Sequence, residues 1–156
     1  MTSSQELITP HVNIHELFVY YDYKHFSGML QTIATVSWSK RMKTSAGMCK
    51  YKDHCLCIYL SEPILKFRTN DDIKSTLLHE MIHAYQMITH KHEPNGGHGP
   101  IFKDYASRIG YAENLSITVY HNFIDEVMYY KEPQQVKHRT SNGGRMVRKT
   151  ASARTY

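Results

Sequence analysis

The segment NDDIKSTLLHEMIHAYQMITH, residues 70–90, runs without a glycine or proline, and this is the feature that most restricts the fold. Asn70 stands where an N-cap is wanted, and Asp71 and Asp72 put carboxylates in the first turn, where the helix dipole favours them. The pattern predicts one long helix. Its face carries His79 and His83, four residues apart and therefore one turn apart, close enough for two imidazoles to share one ion. Glu80 points about 100° away around the helix, so it can address a water on such an ion without joining the ligands. Met81 and Ile82 between the histidines are apolar, as a buried active-site helix requires.

A catalytic zinc site takes three protein ligands and leaves a position open, so a third donor is needed from elsewhere. His98 is the candidate, because in GGHGP the chain can turn back sharply and the flanking glycines remove steric obstruction. His90 and His92 read as exposed bystanders, one near the end of the helix and one before the turn. With one zinc on three imidazoles and Glu80 as general acid and base, the expected chemistry is peptide-bond hydrolysis.

Around this helix the sequence predicts an α+β arrangement. NIHELFVYYDYKHF, residues 13–26, has helical spacing with Asn13 as N-cap and Gly28 past its end. TIATVSW and CLCIYLS, with SAGMCKY between them, predict two or three antiparallel strands between Thr32 and Ser61. Pro100 opens a further helix, PIFKDYASRI, closed by Gly110, after which LSITVYHNF reads as a strand and IDEVMYYK as a last helical piece.

Composition limits the alternatives. A chain of 156 residues, 41% hydrophobic, is the size of one domain with a real core. No long apolar run and no basic-then-apolar start occur, so a soluble intracellular protein without membrane contact is expected. Cys49, Cys55 and Cys57 lack CxxC pairing, which argues for reduced thiols rather than disulfides or a cysteine zinc module. Residues 131–156 hold seven basic side chains against Glu132 alone, whereas residues 1–130 hold 12 basic and 13 acidic ones. The expectation is a folded domain at 10–130 and a flexible basic tail at 131–156, whose Arg145, Arg148 and Lys149 are candidates for contact with a polyanion. A second candidate lies in SWSKRMK, where Trp38 stands beside Lys40, Arg41 and Lys43, a set suited to stacking on an unpaired base while cations hold its backbone.

LLHEMIHAY, GHGPIF and ITVYHNFIDEV, with WSKRM, SAGMCKY and LSEPILKFR upstream, resemble the SprT-like metalloprotease domain from about His11 to Val127, and most of all its DNA-dependent members, which degrade proteins crosslinked to DNA. The resemblance implies a zincin-like fold with a small antiparallel sheet on the HExxH helix. It also implies His79, His83 and His98 as zinc ligands, Glu80 as acid/base, DNA-stimulated activity with single-stranded features, and a nuclear setting in DNA repair. No cysteine follows Cys57, so the cysteine zinc ribbon of such proteases is expected to be absent. Ubiquitin and sliding-clamp binding are likewise not expected within this chain. Two rival readings remain at this point: a DNA-binding module with a purely structural zinc, and a metalloprotease with no nucleic-acid role.

Overall fold

The structure, a computed structural model, describes residues 12–119. The basic tail with Arg145, Arg148 and Lys149, the expected helical piece at 124–131 and the boundary at residue 130 lie outside the described residues.

The first helix, α1 (Ile14–His25), begins as expected, with the Asn13 side chain accepting from the amides of His15 and Glu16. It ends because Asp22 turns the chain. The backbone carbonyl of Asp22 accepts from Phe26 and Gly28, and its buried carboxylate accepts from the amides of Leu30 and Gln31, each at 2.9 Å.

Three strands follow: β1 (Ala34–Ser39), β2 (Gly47–Lys52) and β3 (Cys55–Ser61). β2 and β3 form an antiparallel hairpin closed by Asp53 and His54, both with positive φ, the geometry of a type I′ turn that matches strand twist. The expected antiparallel sheet is in fact mixed, in the order β1-β3-β2, because β1 lies parallel to β3 on the side away from β2. Residues 40–46 cross from one edge to the other and leave the most apolar strand in the middle. Leu56, Ile58 and Leu60 of β3 are buried at every second position, as the alternation in CLCIYLS requires.

An element not expected from the sequence follows, α2 (Glu62–Leu65), one turn capped by Ser61, whose Oγ accepts from Ile64 N. The long helix α3 runs Asn70–Ile88, and its N-cap is Thr69 rather than Asn70, with Oγ1 accepting from Asp72 N. It stops short of His90, which adopts φ +54 while Lys91 N donates to Gln86 O and His90 N to Met87 O, a double closure that ends the helix. Residues 76–82 are all buried, so α3 is the centre of the core. The sheet lies on one side of it and α1 and α5 on others. Tyr85 meets Phe26 below α1 and Tyr105 of α5, with both ring centroids at 5.4 Å.

A single turn, α4 (Pro94–Gly97), leads into α5 (Pro100–Glu113). Gly110 does not close α5, as expected, but lies inside it. A Cβ there would come within 2.7 Å of the Leu115 carbonyl oxygen, so the glycine lets the chain fold back against the helix after Asn114 caps it in the left-handed region. Leu115–Val119 joins no strand; the apolar pattern that predicted one belongs to residues packed on the core. The three cysteines are free and half-buried, and among the described residues no helix is long and apolar enough to cross a membrane.

The two ends of the fold are clasped by Glu113, whose Oε1 lies 2.7 Å from both Lys24 Nζ and His25 Nε2 of α1. Desolvation raises the Glu113 carboxyl, but the hydrogen bonds from Lys24 and His25 outweigh it and hold it below the usual carboxylate range. A carboxylate with a depressed folded-state pKa stabilises above its unfolded value, near 4.3, and loses that contribution as pH falls through the folded value. Glu113→Gln should therefore melt at a lower temperature than the parent at pH 7, with the gap closing below about pH 4. Melting curves of both proteins across that range check this.

Candidate metal centre

The helix and the loop after it bring His79, His83 and His98 together. Their Nε2 atoms form a triangle with edges of 3.1 Å (His79 to His83), 2.9 Å (His83 to His98) and 3.1 Å (His79 to His98). Tetrahedral zinc with bonds of about 2.0–2.1 Å sets neighbouring nitrogens roughly 3.3 Å apart, so the triangle fits such an ion within a few tenths of an ångström. The donor chemistry agrees. His79 Nδ1 lies 2.8 Å from the Thr118 carbonyl oxygen, which only accepts, so the ring's single N–H is at Nδ1 and Nε2 presents a lone pair to the centre. This is the partner that fixes a metal-ligating imidazole in the right tautomer. Three ring nitrogens this close are poorly served by shared protons, whereas one cation satisfies all three.

Beneath the triangle sits Phe102, fully buried, with its ring centroid 4.8, 4.8 and 4.9 Å from those of His79, His83 and His98. It is stacked on His83 and meets the other two edge-on, so it forms an apolar floor against which all three imidazoles pack. Sequence reasoning assigned Phe102 no role; its position in the first turn of α5, four residues past His98, is the signal that could have found it.

Glu80 is only 6% exposed, and burial pushes its carboxyl up to about 8. One wall of its pocket is the backbone of β2. A Cβ on Gly47 would lie 2.8 Å from Glu80 Cγ and Oε1 and 3.0 Å from Thr76 Cγ2, so only glycine lets the edge strand close over this side chain. The thiol of Cys49, two residues along β2, is pushed up to about 12 by its own burial and then by Glu80.

His98 arrives on a loop crossing over His83. Gly97, at φ +81, passes so near that a Cβ would stand 3.2 Å from His83 Nδ1, which bears out the expectation that the glycines clear the way. His90 and His92 are exposed and outside the triangle, also as expected. Glu93, which sequence reasoning passed over, is bound from both sides. Its carboxylate accepts from Gln86 Nε2 at 2.9 Å, Ile101 N at 2.7 Å and Phe102 N at 2.9 Å. Desolvation opposes its charge, but those donors and the Gly99 amide outweigh it and keep the carboxyl below its ordinary range. The clue in the sequence was Gly99, an N-cap without a side chain, which leaves the first amides of α5 needing an acceptor.

The second candidate cluster lies at the end of β1. Trp38 pairs with Leu60, a core-facing residue, so its ring turns toward the core and is half-buried there. Lys40, Arg41 and Lys43 are exposed on the crossing loop. That loop is tied down where Met42 O accepts from Ser61 Oγ at 2.6 Å and where Ser39 Oγ accepts from the Arg41 and Met42 amides.

Because Gly47 makes room for Glu80, Gly47→Ala should lower stability by about 1–3 kcal/mol, the cost of forcing atoms into a filled site. Denaturant unfolding of the two proteins measures it; an unchanged midpoint would mean that β2 does not close over Glu80 as described.

Residues 14–121 match the SprT-like family. Over 134 residues the chain is 43% identical to the DNA-dependent metalloprotease dvc-1 of Caenorhabditis elegans, covering 83% of this chain and 36% of that protein. It is 44% identical over 131 residues to the DNA-dependent metalloprotease SPRTN of Homo sapiens, covering 83% of this chain and 27% of that one. A weaker likeness, 31% over 100 residues, connects it with germ cell nuclear acidic protein of Drosophila melanogaster, covering 60% of this chain and 9% of that protein. The chain thus spans only about a third or less of the curated relatives it matches. With the match running from α1 past the last described residue and taking in all three histidines and Glu80, the chain belongs to the SprT-like family.

Proposed function

We propose that this chain is a zinc-dependent endopeptidase, stimulated by DNA with single-stranded features and directed at DNA-bound or DNA-crosslinked proteins, working at chromatin in the nucleus in DNA repair. The observation that carries the reading is the convergence of three Nε2 atoms, at 2.9–3.1 Å, one position along the helix from a buried glutamate. Imidazole donors favour zinc among the common divalent ions. A closed structural site would take a fourth protein ligand, and among the described residues the group has three. The names of the relatives, DNA-dependent metalloproteases, support the coupling to DNA.

In this assignment His79, His83 and His98 hold the ion through Nε2, and Thr118 O and Phe102 keep two sides of the imidazole set in place. A zinc ion there supplies Lewis acidity, acidifying a water and polarising the scissile carbonyl. Glu80, in the ionised form that a cation beside it would favour despite its burial, would take the proton released by the attacking water and deliver it to the amide nitrogen of the departing peptide. Lys40, Arg41 and Lys43, and Arg145, Arg148 and Lys149 of the tail, are the proposed contacts to DNA phosphates, and Trp38, half-buried at the base of the first loop, is the residue proposed to stack on an unpaired base.

Purified protein should carry one zinc per chain, and two per chain in elemental analysis would contradict the single centre. Glu80→Gln keeps the shape of the side chain, so zinc content and melting temperature should hold while cleavage of a basic DNA-binding protein in the presence of single-stranded DNA falls by about 10²- to 10⁴-fold. His83→Ala should lose metal as well. A Glu80→Gln protein that cleaves like its parent would end the proposal.

For the DNA contacts, binding to single strands loses about 0.7 of a log unit per log unit of salt for each phosphate neutralised. Replacing Lys40, Arg41 and Lys43 by alanine should flatten that slope by up to about 2, and replacing Arg145, Arg148 and Lys149 should do the same. Titrations at several salt concentrations separate the two clusters, and a slope unchanged by either set removes that set from the interface.

A further inference from the structure

Two of the three histidines are placed by a rigid helix, but the third is not. His79 and His83 are fixed relative to each other by α3 itself, His79 inside the buried run 76–82 and His83 directly after it. His98 lies beyond the end of that helix, on a loop with Gly96 and Gly97 both at positive φ. Phe102 packs against the His98 ring itself, but the stretch of loop before it stands off the helix. A cleft of about 260 Å³ lies between it and α3, walled by His83, Gln86, Met87, His92 and Glu93. The link across the cleft that ties this stretch to the helix is polar.

We propose that Glu93 is the positioning residue of the metal centre, its carboxylate bridging Gln86 on α3 to the amides of Ile101 and Phe102 at the start of α5 and so fixing where His98 presents Nε2. The inference rests on the metal-centre reading above. Three observations carry it. Gln86 lies one turn beyond His83 on α3 and is itself buried, so the anchor on the helix side is rigid. Ile101 and Phe102 follow His98 by three and four residues, so the anchor on the other side closes a short arc, residues 93–102, that contains His98. Gly99 fits the carboxylate with no room to spare: a Cβ there would stand 2.7 Å from Glu93 Oε1 and 2.8 Å from Cδ. The bridge therefore depends on two positions, Glu93 and Gly99, neither of which is a ligand. It also reaches the floor of the site, since one of the amides it holds belongs to Phe102.

The test is zinc affinity, measured on the full chain by competition with a chromogenic chelator, together with melting of the metal-free protein. Glu93→Ala should bind zinc about 10- to 100-fold more weakly than the parent, the range typical of losing a partner that orients a ligand. Gly99→Ala, which leaves the carboxylate present but displaces it, should weaken binding in the same direction. Glu93→Gln, with one acceptor oxygen left, should fall between Glu93→Ala and the parent, and His98→Ala should be weaker than all three. Hydrogen exchange at the Ile101 and Phe102 amides should quicken in the metal-free Glu93→Ala protein. If Glu93 served only to cap α5, the metal-free variants would melt earlier while zinc affinity below the melting range stayed within twofold of the parent, and that result overturns the inference alone. A parent chain that binds no zinc overturns the metal-centre reading and this inference with it.

Discussion

The whole structure turns on a conflict inside α3: the helix is the centre of the hydrophobic core, yet it carries an imidazole and a carboxyl in its most buried stretch and a second imidazole, half-buried, just past it. Residues 76–82 are buried without a break, with His79 and Glu80 4% and 6% exposed. Polar groups placed there cost several kcal/mol each unless they are bonded. The fold answers by converging on them. Thr118 comes back from beyond α5 so that its carbonyl accepts from His79 Nδ1–H, the loop after α3 brings His98 to the other two rings, and Phe102 closes the underside. Each of these contacts is made by a different stretch of chain, so completing the site and completing the core are one event.

Convergence of that kind requires backbone to approach side chain closely, and the glycines lie where it does. Gly47 lets β2 close on Glu80, Gly97 lets the loop cross His83, Gly99 leaves room for the Glu93 carboxylate, and Gly110 lets the chain return toward Thr118. At three of the four, an added methyl would meet an atom at 2.7–2.8 Å. Overpacking there would disturb stability and site geometry together, which distinguishes these positions from glycines needed only for turns.

What the sequence could and could not reveal follows from the range of the interactions. The helix with its HEMIH face, the alternation of β3 and the role of Gly97 were legible because each depends on local spacing. So was the approach of His98 to the other two rings, since one glycine-flanked histidine lay within reach. The parallel pairing of β1 was not, because which edge of the hairpin a third strand joins is decided by the crossing of residues 40–46 and by the core, not by any local pattern. Gly110 misled because glycine after a helix and glycine inside one under a returning chain look alike in sequence. Thr118 was invisible for a deeper reason: it contributes a carbonyl oxygen, which every residue has. Trp38 was read for its neighbours in sequence, while the register turns its ring toward the core.

The uneven origin of the three imidazoles has a thermodynamic consequence for any ion they hold. α3 sets two imidazoles in place before any ion arrives, so their contribution to binding carries little ordering cost. The arc that holds His98 is tied by hydrogen bonds at the rim of a cleft, and such segments open at a smaller free-energy cost than the core beside them. An ion that binds all three nitrogens binds only the closed arc, so it stabilises closure by an amount that grows with RT ln(1 + [ion]/Kd). Closure and metal occupancy would therefore be linked in both directions: whatever steadies residues 93–102 would tighten an ion held there, and the ion would steady the start of α5 and with it Phe102. In a protein whose core and site share one helix, that linkage passes from the ion into the packing of α5 on α3, and so into the stability of the domain.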